Sequence, residues 1–149
     1  MTMNSHRIRN IFIQGPISAA FIAEKIAAHA VKLNIGGHSI FLGQVRADQK
    51  ENQEVLCIEY TTYEEMALDV MHKIRQEIFD QYELTCLHIY HSLGTVKAGE
   101  ISLFVFTSSI HRKPAIDACS EIVERIKKEL PVWGKEILSD QTHVWKENK

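Results

Sequence analysis

The sequence lacks the features that mark secreted and membrane proteins. Its 149 residues include only three cysteines, an odd number without a close pair, which excludes a disulfide-rich scaffold. No stretch approaches the roughly 20 apolar residues that a membrane-spanning helix needs. The apolar segment at residues 11–13, which follows Arg7 and Arg9, is too short for a signal peptide. We therefore expect a cytoplasmic protein that does not enter a membrane.

An excess of charge of one sign is also missing. The formal net charge is −2, and no long run of acidic or basic residues occurs. A protein that neutralises many phosphates is normally basic, so we expect no nucleic-acid partner. A small anionic ligand remains compatible with this balance, because it needs only a local basic patch. The content of 45% hydrophobic and 24% charged residues is typical of a globular protein, and the length suits a single domain over residues 1–149.

Metal-ligand spacing is not apparent either. Cys57, Cys86 and Cys119 lie among apolar residues, which favours small buried side chains in a reducing compartment. A catalytic or metal-binding thiol remains the alternative, although no CxxC or Cys-His spacing supports it. The eight histidines are scattered, and His88 and His91 are interpreted as strand residues rather than ligands. We expect no metal and no cofactor.

The hydrophobic pattern predicts strands and helices in mixed order. Alternation and short apolar runs predict strands at residues 7–14, 38–45, 55–61, 84–93, 100–108, 132–138 and 142–145. Apolar residues three or four apart predict helices at residues 18–33, 63–82 and 114–130. Residues 47–53 and 94–99 are expected to form connections. Long helices between pairs of strands indicate an α+β sandwich.

A basic cluster comes directly before the third helix. His111, Arg112 and Lys113 lie where unpaired N–H groups and the helix dipole already favour an anion. Cations at this end oppose the dipole unless an anion joins them. Two interpretations stay open: a phosphate or carboxylate site, and a solvated turn in which Arg112 pairs with an acidic neighbour.

Lys127 falls at the edge of the apolar face of the third helix. At about 100° per residue it lies beside Ile116 and Val123, whereas Lys128 points away from the apolar face. A lysine at this border can be partly desolvated, which lowers its pKa and suits it for nucleophilic or proton-transfer chemistry. The alternative is a lysine whose aliphatic stem only covers apolar surface.

Three segments together resemble the family of molybdopterin synthase large subunits. They are FLGQVR at residues 41–46, SSIHR at residues 108–112 and IKKELPVWGKE at residues 126–136, in the order and spacing of the family. The likeness runs from about Gly36 to Glu136. It implies an α/β-hammerhead-type fold within the α+β class. It also implies a homodimer that binds a small ubiquitin-like subunit at each end, giving a heterotetramer.

The resemblance implies an enzyme that needs no metal. The small subunit's C-terminal thiocarboxylate would supply sulfur, and cyclic pyranopterin monophosphate would be converted to molybdopterin. Carried over by position, the substrate phosphate would be bound by Arg46, His111 and Arg112. Phe41 would line the pocket, and Lys127 would be the principal catalytic lysine.

One position departs from the family pattern. Many members have Trp-Lys-Lys-Glu, but this chain has Gly134 between Trp133 and Lys135. Either Gly134 lets the backbone bend so that Lys135 reaches the pocket as a second catalytic lysine, or that role is missing. The bend is the favoured expectation.

A different class of function uses the same basic residues. A non-catalytic module that binds a phosphorylated ligand or a partner's tail would keep Arg46, His111 and Arg112 but would not need Lys127. Loss of turnover with retained ligand binding after a change at Lys127 would distinguish the enzyme from the module.

Overall fold

The computed structural model describes residues 11–148, so only the last part of the strand expected at residues 7–14 falls within it. The strands are β1 (Phe12–Gln14), β2 (Gly37–Gln44), β3 (Gln49–Lys50), β4 (Gln53–Thr62), β5 (Cys86–Lys97), β6 (Ile101–Ser109), β7 (Val132–Leu138) and β8 (His143–Trp145). The helices are α1 (Ala19–Ala28), followed by a 3₁₀ turn (His29–Val31), α2 (Glu64–Gln81) and α3 (Arg112–Glu129). Among residues 11–148, no helix is long and apolar enough to cross a membrane.

The sheet is mostly antiparallel, with the order β2-β6-β5-β4-β7-β8. β1 pairs in parallel with β5, and β3 extends β4. The first half of β5 pairs with β6 and its second half pairs with β4. β5 therefore joins the two halves of the sheet.

Both expected connections contain strand residues. The link predicted at residues 94–99 is mostly wrong, because β5 continues through Gly94, which has a φ of +80°, to Lys97. The glycine marks the place where β5 changes its partner strand, rather than its end. The polar loop predicted at residues 47–53 contains β3, and a tight turn at Glu51 and Asn52 returns the chain into β4.

Helices cover both faces of the sheet, as expected for the α+β class. The larger core lies under α2 and α3 and includes Met71, Ile74, Ile122 and Ile126. A smaller core on the other face joins Ile22 of α1 to strand residues. The helical periodicity identified all three helices because each buries a stripe of apolar side chains.

Helix boundaries differ from the expected ones for local reasons. The Ser18 hydroxyl accepts a hydrogen bond from the Phe21 N–H at 3.1 Å, so Ser18 is the N-cap of α1. α1 ends five residues earlier than expected because its last part forms the 3₁₀ turn. α3 begins at Arg112, two residues before Pro114, which therefore still lies in the first turn. The basic cluster is thus part of the N-terminus of α3.

Candidate active site

A pocket opens where the C-terminal end of α3 meets β7 and the residues after β8. It is lined by Tyr60, His91, Ser102, Leu103, Ile126, Lys127, Leu130, Val132, Trp133, Gly134, Lys146 and Asn148. Within the described residues, this lining has two lysines and one histidine but no cysteine or carboxylate. The pocket is therefore suited to an anion and is a poor metal site.

Lys127 lies at the pocket wall, as its edge position on the helix predicted. Its side chain is half-buried, whereas the neighbouring Lys128 is exposed. Burial lowers the pKa of Lys127, and the positive charges of Lys146 and Arg46 lower it further, against a smaller opposite effect of Glu124. A lysine amine in these surroundings gives up its proton more easily than one in water.

The apolar face of α3 differs from the prediction at one position. Ile116 was expected beside Lys127 in the core but is 51% exposed. Ala115 and Ala118 are fully buried instead, because small side chains let α3 approach β2 and β6 closely. The edge position of Lys127 does not depend on Ile116, since Val123 and Ile126 lie buried next to it.

His91 contributes a neutral imidazole to the base of the pocket. Burial is the main cause that lowers the pKa of His91 to about 4, and the nearby charges of Lys127 and Lys146 act in the same direction. Its Nδ1 lies 2.8 Å from the Ser92 carbonyl oxygen, so Nδ1 carries the proton and Nε2 keeps a lone pair. The interpretation of His91 as a strand residue is confirmed, but sequence reasoning missed its place in the pocket.

Lys135 does not lie in the pocket. β7 pairs regularly with β4, placing Gly134 opposite Tyr60 and Lys135 opposite Glu59. Because side chains alternate along a strand, Lys135 points to the face opposite that of Gly134. Its ammonium lies 3.5 Å from the Glu59 carboxylate. The expected bend at Gly134 is absent, and the expected placement of Lys135 in the pocket is wrong.

Lys146 takes the place next to Gly134. The N–H of Lys146 donates to the Gly134 carbonyl at 2.8 Å, and its side chain lines the pocket. Burial lowers the pKa of Lys146, and Arg46 lowers it further, while Glu136 raises it. The C-terminal strand thus brings a second lysine to the pocket from a position that sequence reasoning did not consider.

Gly134 packs closely against the core. A Cβ atom at Gly134 would lie 2.9 Å from Ile58 Cγ2 and 3.3 Å from Tyr60 Cε1, whereas its 3.5 Å distance to Lys146 Cβ would be an ordinary contact. A side chain at this position would therefore require the Ile58 and Tyr60 side chains to move.

Arg46 and Phe41 lie beside the pocket. Arg46 follows β2, is largely exposed and donates to the Asp48 carboxylate at 3.1 Å. Its charge lowers the pKa of both pocket lysines, which places the guanidinium within electrostatic reach of them. Phe41 is 37% exposed and does not line the pocket directly, but its ring lies over Gly43, whose strand partner Leu103 does.

His111 and Arg112 lie at the other end of α3. Lys127 follows Arg112 by fifteen residues within one helix, which separates their Cα atoms by about 22 Å. The convergence of Arg46, Arg112 and Lys127 in one pocket of a single chain is therefore a wrong prediction. The pairing of Arg112 with an acid is not observed among the described residues; Lys113 pairs with Asp117 at 3.1 Å instead.

Trp133 is half exposed at the rim of the pocket. This residue is 49% accessible and lines the pocket, so it is not part of the buried core. A flat apolar surface beside cationic groups can stack on a ring while those groups hold an anion. The site thus combines an aromatic rim, two desolvated amines and a neutral imidazole.

Comparisons with known proteins agree on one family. The model of the family described as "MoaE protein" matches residues 14–129. The molybdopterin synthase catalytic subunit of Pyrococcus abyssi is 36% identical over 125 residues, which cover 84% of this chain and 83% of that protein. Two relatives of the same name from Drosophila species are longer, and the matches span 32% and 36% of their lengths.

Solved structures show the same fold. Molybdopterin synthase from Staphylococcus aureus superimposes with a TM-score of 0.81 and 29% identity, covering 93% of this chain and 97% of that one. A complex of subunits 1 and 2 of the molybdopterin-converting factor from Helicobacter pylori gives a TM-score of 0.77 with 22% identity, covering 93% and 90%. The chain therefore belongs to the MoaE family, the family of the molybdopterin synthase catalytic subunits.

Proposed function

We propose that this chain transfers sulfur from the C-terminal thiocarboxylate of a small ubiquitin-like subunit to cyclic pyranopterin monophosphate. The observation that carries the proposal is the pair of partly desolvated amines, Lys127 and Lys146, in a pocket without a lining carboxylate. Both the thiocarboxylate and the phosphorylated pterin are anions, so this pocket suits them better than a neutral or cationic ligand.

Each transfer makes a C–S bond and breaks a C–O bond at the same carbon of the pterin side chain. In one transfer the oxygen that leaves is the one bonded to the cyclic phosphate, so the ring opens and the oxygen stays on the phosphate. In the other transfer the oxygen leaves as water. Water cleaves the S–acyl bond after each transfer, so sulfur stays on the pterin and each small subunit leaves with an ordinary carboxylate.

The pocket residues have distinct roles in this proposal. Lys127 accepts or donates the proton at the reacting centre, because its lowered pKa brings it closer to neutral pH. Lys146 stabilises negative charge that develops on the acyl oxygen. His91 Nε2 accepts a hydrogen bond without adding charge. Arg46 binds the substrate phosphate, and Trp133 stacks on the pterin.

The partner is proposed from the family and from the H. pylori relative, whose structure is a complex of two subunits. The tail of a ubiquitin-like subunit is extended and ends in glycine, so it can enter a narrow pocket. Trp133 and Asn148 are exposed residues of the pocket lining, and we place the entrance for this tail beside them.

The homodimer is proposed to form along β2. This strand is an outer edge of the sheet and exposes three consecutive apolar residues, Ile40, Phe41 and Leu42, each at least 37% accessible. An edge strand with an apolar surface readily pairs with a second copy. A twofold axis would pair β2 with itself in antiparallel fashion.

Such pairing gives Arg112 a role despite its distance from Lys127. Arg112 packs against Gly37 at the start of β2, because a Cβ atom at Gly37 would lie 3.1 Å from Arg112 Cα. Arg46 follows Gln44 at the other end of the strand. In an antiparallel pair, Arg112 and His111 of one protomer lie beside Arg46 of the other, where they can share the substrate phosphate.

The experiment that tests the proposal is reconstitution. Purified chain, thiocarboxylated small subunit and cyclic pyranopterin monophosphate are mixed, and molybdopterin formation is followed directly. We expect product in proportion to thiocarboxylate consumed, with two small subunits used per molecule of product. Binding of the precursor without product would support the non-catalytic module instead.

A heterodimer with differently tagged protomers tests whether Arg112 of one protomer acts with Lys127 of the other. One protomer carries Lys127→Ala and the other Arg112→Ala. One of its two pockets then keeps both residues, so we expect about half of the wild-type activity. An inactive heterodimer would place Arg112 in the pocket of its own chain and contradict the arrangement along β2.

A further inference from the structure

A second cluster of reactive side chains lies on the sheet face opposite the pocket. It consists of His29, at the start of the 3₁₀ turn, together with Cys86 and His88 at the start of β5. One possible ligand atom from each of the three lies within 4.8 Å of the others. Cys86 and His88 point to the same face because they are two residues apart on a strand.

The two imidazoles face each other through the same type of nitrogen. His29 Nε2 lies 3.1 Å from His88 Nε2. Two nitrogen ligands of a tetrahedral zinc ion, each about 2.0–2.1 Å from the metal, lie about 3.3 Å apart. The observed separation therefore needs only a small side-chain adjustment to admit the ion.

His29 is held in the tautomer that binds a metal. Its Nδ1 lies 2.7 Å from the Lys25 carbonyl oxygen, which can only accept, so Nδ1 carries the proton. Nε2 then presents a lone pair toward His88. A ligand histidine whose other nitrogen donates to a backbone carbonyl is the usual outer-shell arrangement of zinc sites.

His88 must change its tautomer to act as a ligand. Without a metal, its Nε2 faces the lone pair of His29 Nε2 at 3.1 Å and therefore carries the proton of that hydrogen bond. When the ion binds, this proton moves to Nδ1 and Nε2 becomes the ligand atom, so the neutral imidazole releases no proton.

The thiol completes a ligand set that favours zinc. Cys86 is buried and accepts a hydrogen bond from the Lys32 ammonium at 2.8 Å. Sulfur binds a metal as the thiolate, so the Cys86 thiol proton is released when the ion binds. Lys32 is exposed, so its side chain can turn into water when a cation approaches the sulfur.

We propose that His29, Cys86 and His88 bind one Zn²⁺ ion, with water as the fourth ligand. The ion would tie the turn after α1 to β5. This face has the smaller core, with only four buried residues in its cluster among those described, so a metal bond would add proportionally more stability here. The site is separate from the proposed active site, and it departs from the expectation of no metal.

The test is a metal titration of the full chain after removal of metals with a chelator. Co²⁺ serves as the probe because tetrahedral cobalt absorbs in the visible range and a cobalt–thiolate bond adds a charge-transfer band in the near ultraviolet. We expect one equivalent of Co²⁺ with both bands, displacement by Zn²⁺ with a Kd below about 1 μM, and a higher Tm with Zn²⁺.

Variants separate the proposed ligands from other thiols and imidazoles. His88→Ala and Cys86→Ser should each weaken Zn²⁺ binding by about 100-fold or more, and Cys86→Ser should also remove the charge-transfer band. Cys57→Ser and His143→Ala are the matched controls and should change neither. Circular dichroism checks that each variant is folded. If a ligand variant is not folded, His29→Gln takes its place in the same titration.

Three results would overturn the proposal. They are the absence of stoichiometric binding, cobalt spectra without the thiolate band, and unchanged affinity in the folded His88→Ala and Cys86→Ser proteins. None of these results depends on sulfur transfer, so failure of the metal site and failure of the proposed function are distinguishable.

Discussion

Replacing Lys127 with alanine should lower molybdopterin formation by about 1,000-fold while leaving precursor binding measurable. The amine is the proposed proton-transfer group, and its half-buried position excludes most of the water that could replace it. The measurement is single-turnover formation of product with thiocarboxylated small subunit. Lys128→Ala is the matched control, because Lys128 is adjacent in sequence but exposed, and its turnover should stay near that of the wild type.

The loss of turnover in Lys127→Ala should not come from unfolding of the protein. The pKa of Lys127 is lower in the folded state than in the unfolded state, so the unfolded state binds more protons. The folded protein then gains stability as the pH rises through the lowered pKa, and the charged amine costs stability at neutral pH. Lys127→Met, which keeps an apolar stem, should therefore have an unchanged or higher Tm. Full turnover in a folded Lys127 variant would refute the catalytic assignment.

Replacing Lys146 with alanine should lower turnover by about 100-fold, whereas Lys135→Ala should have little effect. Lys146 lines the pocket next to Gly134, but Lys135 lies on the other face of β7 beside Glu59. Removal of Lys146 also removes a neighbouring positive charge, so the pKa of Lys127 should rise. The pH profile of turnover should then shift to higher pH.

The paired variants distinguish two explanations of the departure at position 134. If Lys146 has taken over the role of the second lysine, only Lys146→Ala is impaired. If Lys135→Ala is the impaired variant, the pocket must rearrange on binding so that Lys135 enters it. Equal activity of both variants and the wild type would mean that a second lysine is not needed.

The sequence predicted the features that depend on local pattern. The stripes of apolar residues identified three helices, and the edge position of Lys127 followed from the angle between helical residues. The start of the first helix near Ser18 was recognisable because the Ser18 hydroxyl caps N–H groups of the same segment. Motifs at residues 41–46, 108–112 and 126–136 indicated the family because their order and spacing can be recognised without the fold.

Features that depend on pairing between distant segments were not predicted. Lys146 lies in the pocket because β8 pairs with β7 so that Trp145 faces Lys135. A strand of three residues carries too little pattern to fix this register from sequence. The continuation of β5 past Gly94 was missed for the same reason, since a glycine at a positive φ resembles a turn until the second partner strand is known.

The prediction that Arg112 and Lys127 share one pocket of a single chain was wrong for a different reason. Both residues flank the predicted third helix, and its rise of about 1.5 Å per residue separates them by about 22 Å. Residue types alone favour a shared phosphate site, but the length of the helix excludes such a site within one chain. Helix length therefore constrains which motif residues of a single chain can meet.

The most direct test of the account is a zero-length cross-link between the small subunit and the pocket. A carbodiimide activates the C-terminal carboxylate of the small subunit in the assembled complex, and mass spectrometry identifies the lysine that forms the amide bond. We expect the terminal glycine to be joined to Lys127 or Lys146. Cross-links found only at lysines elsewhere, such as Lys113 or Lys135, would contradict the proposed active site.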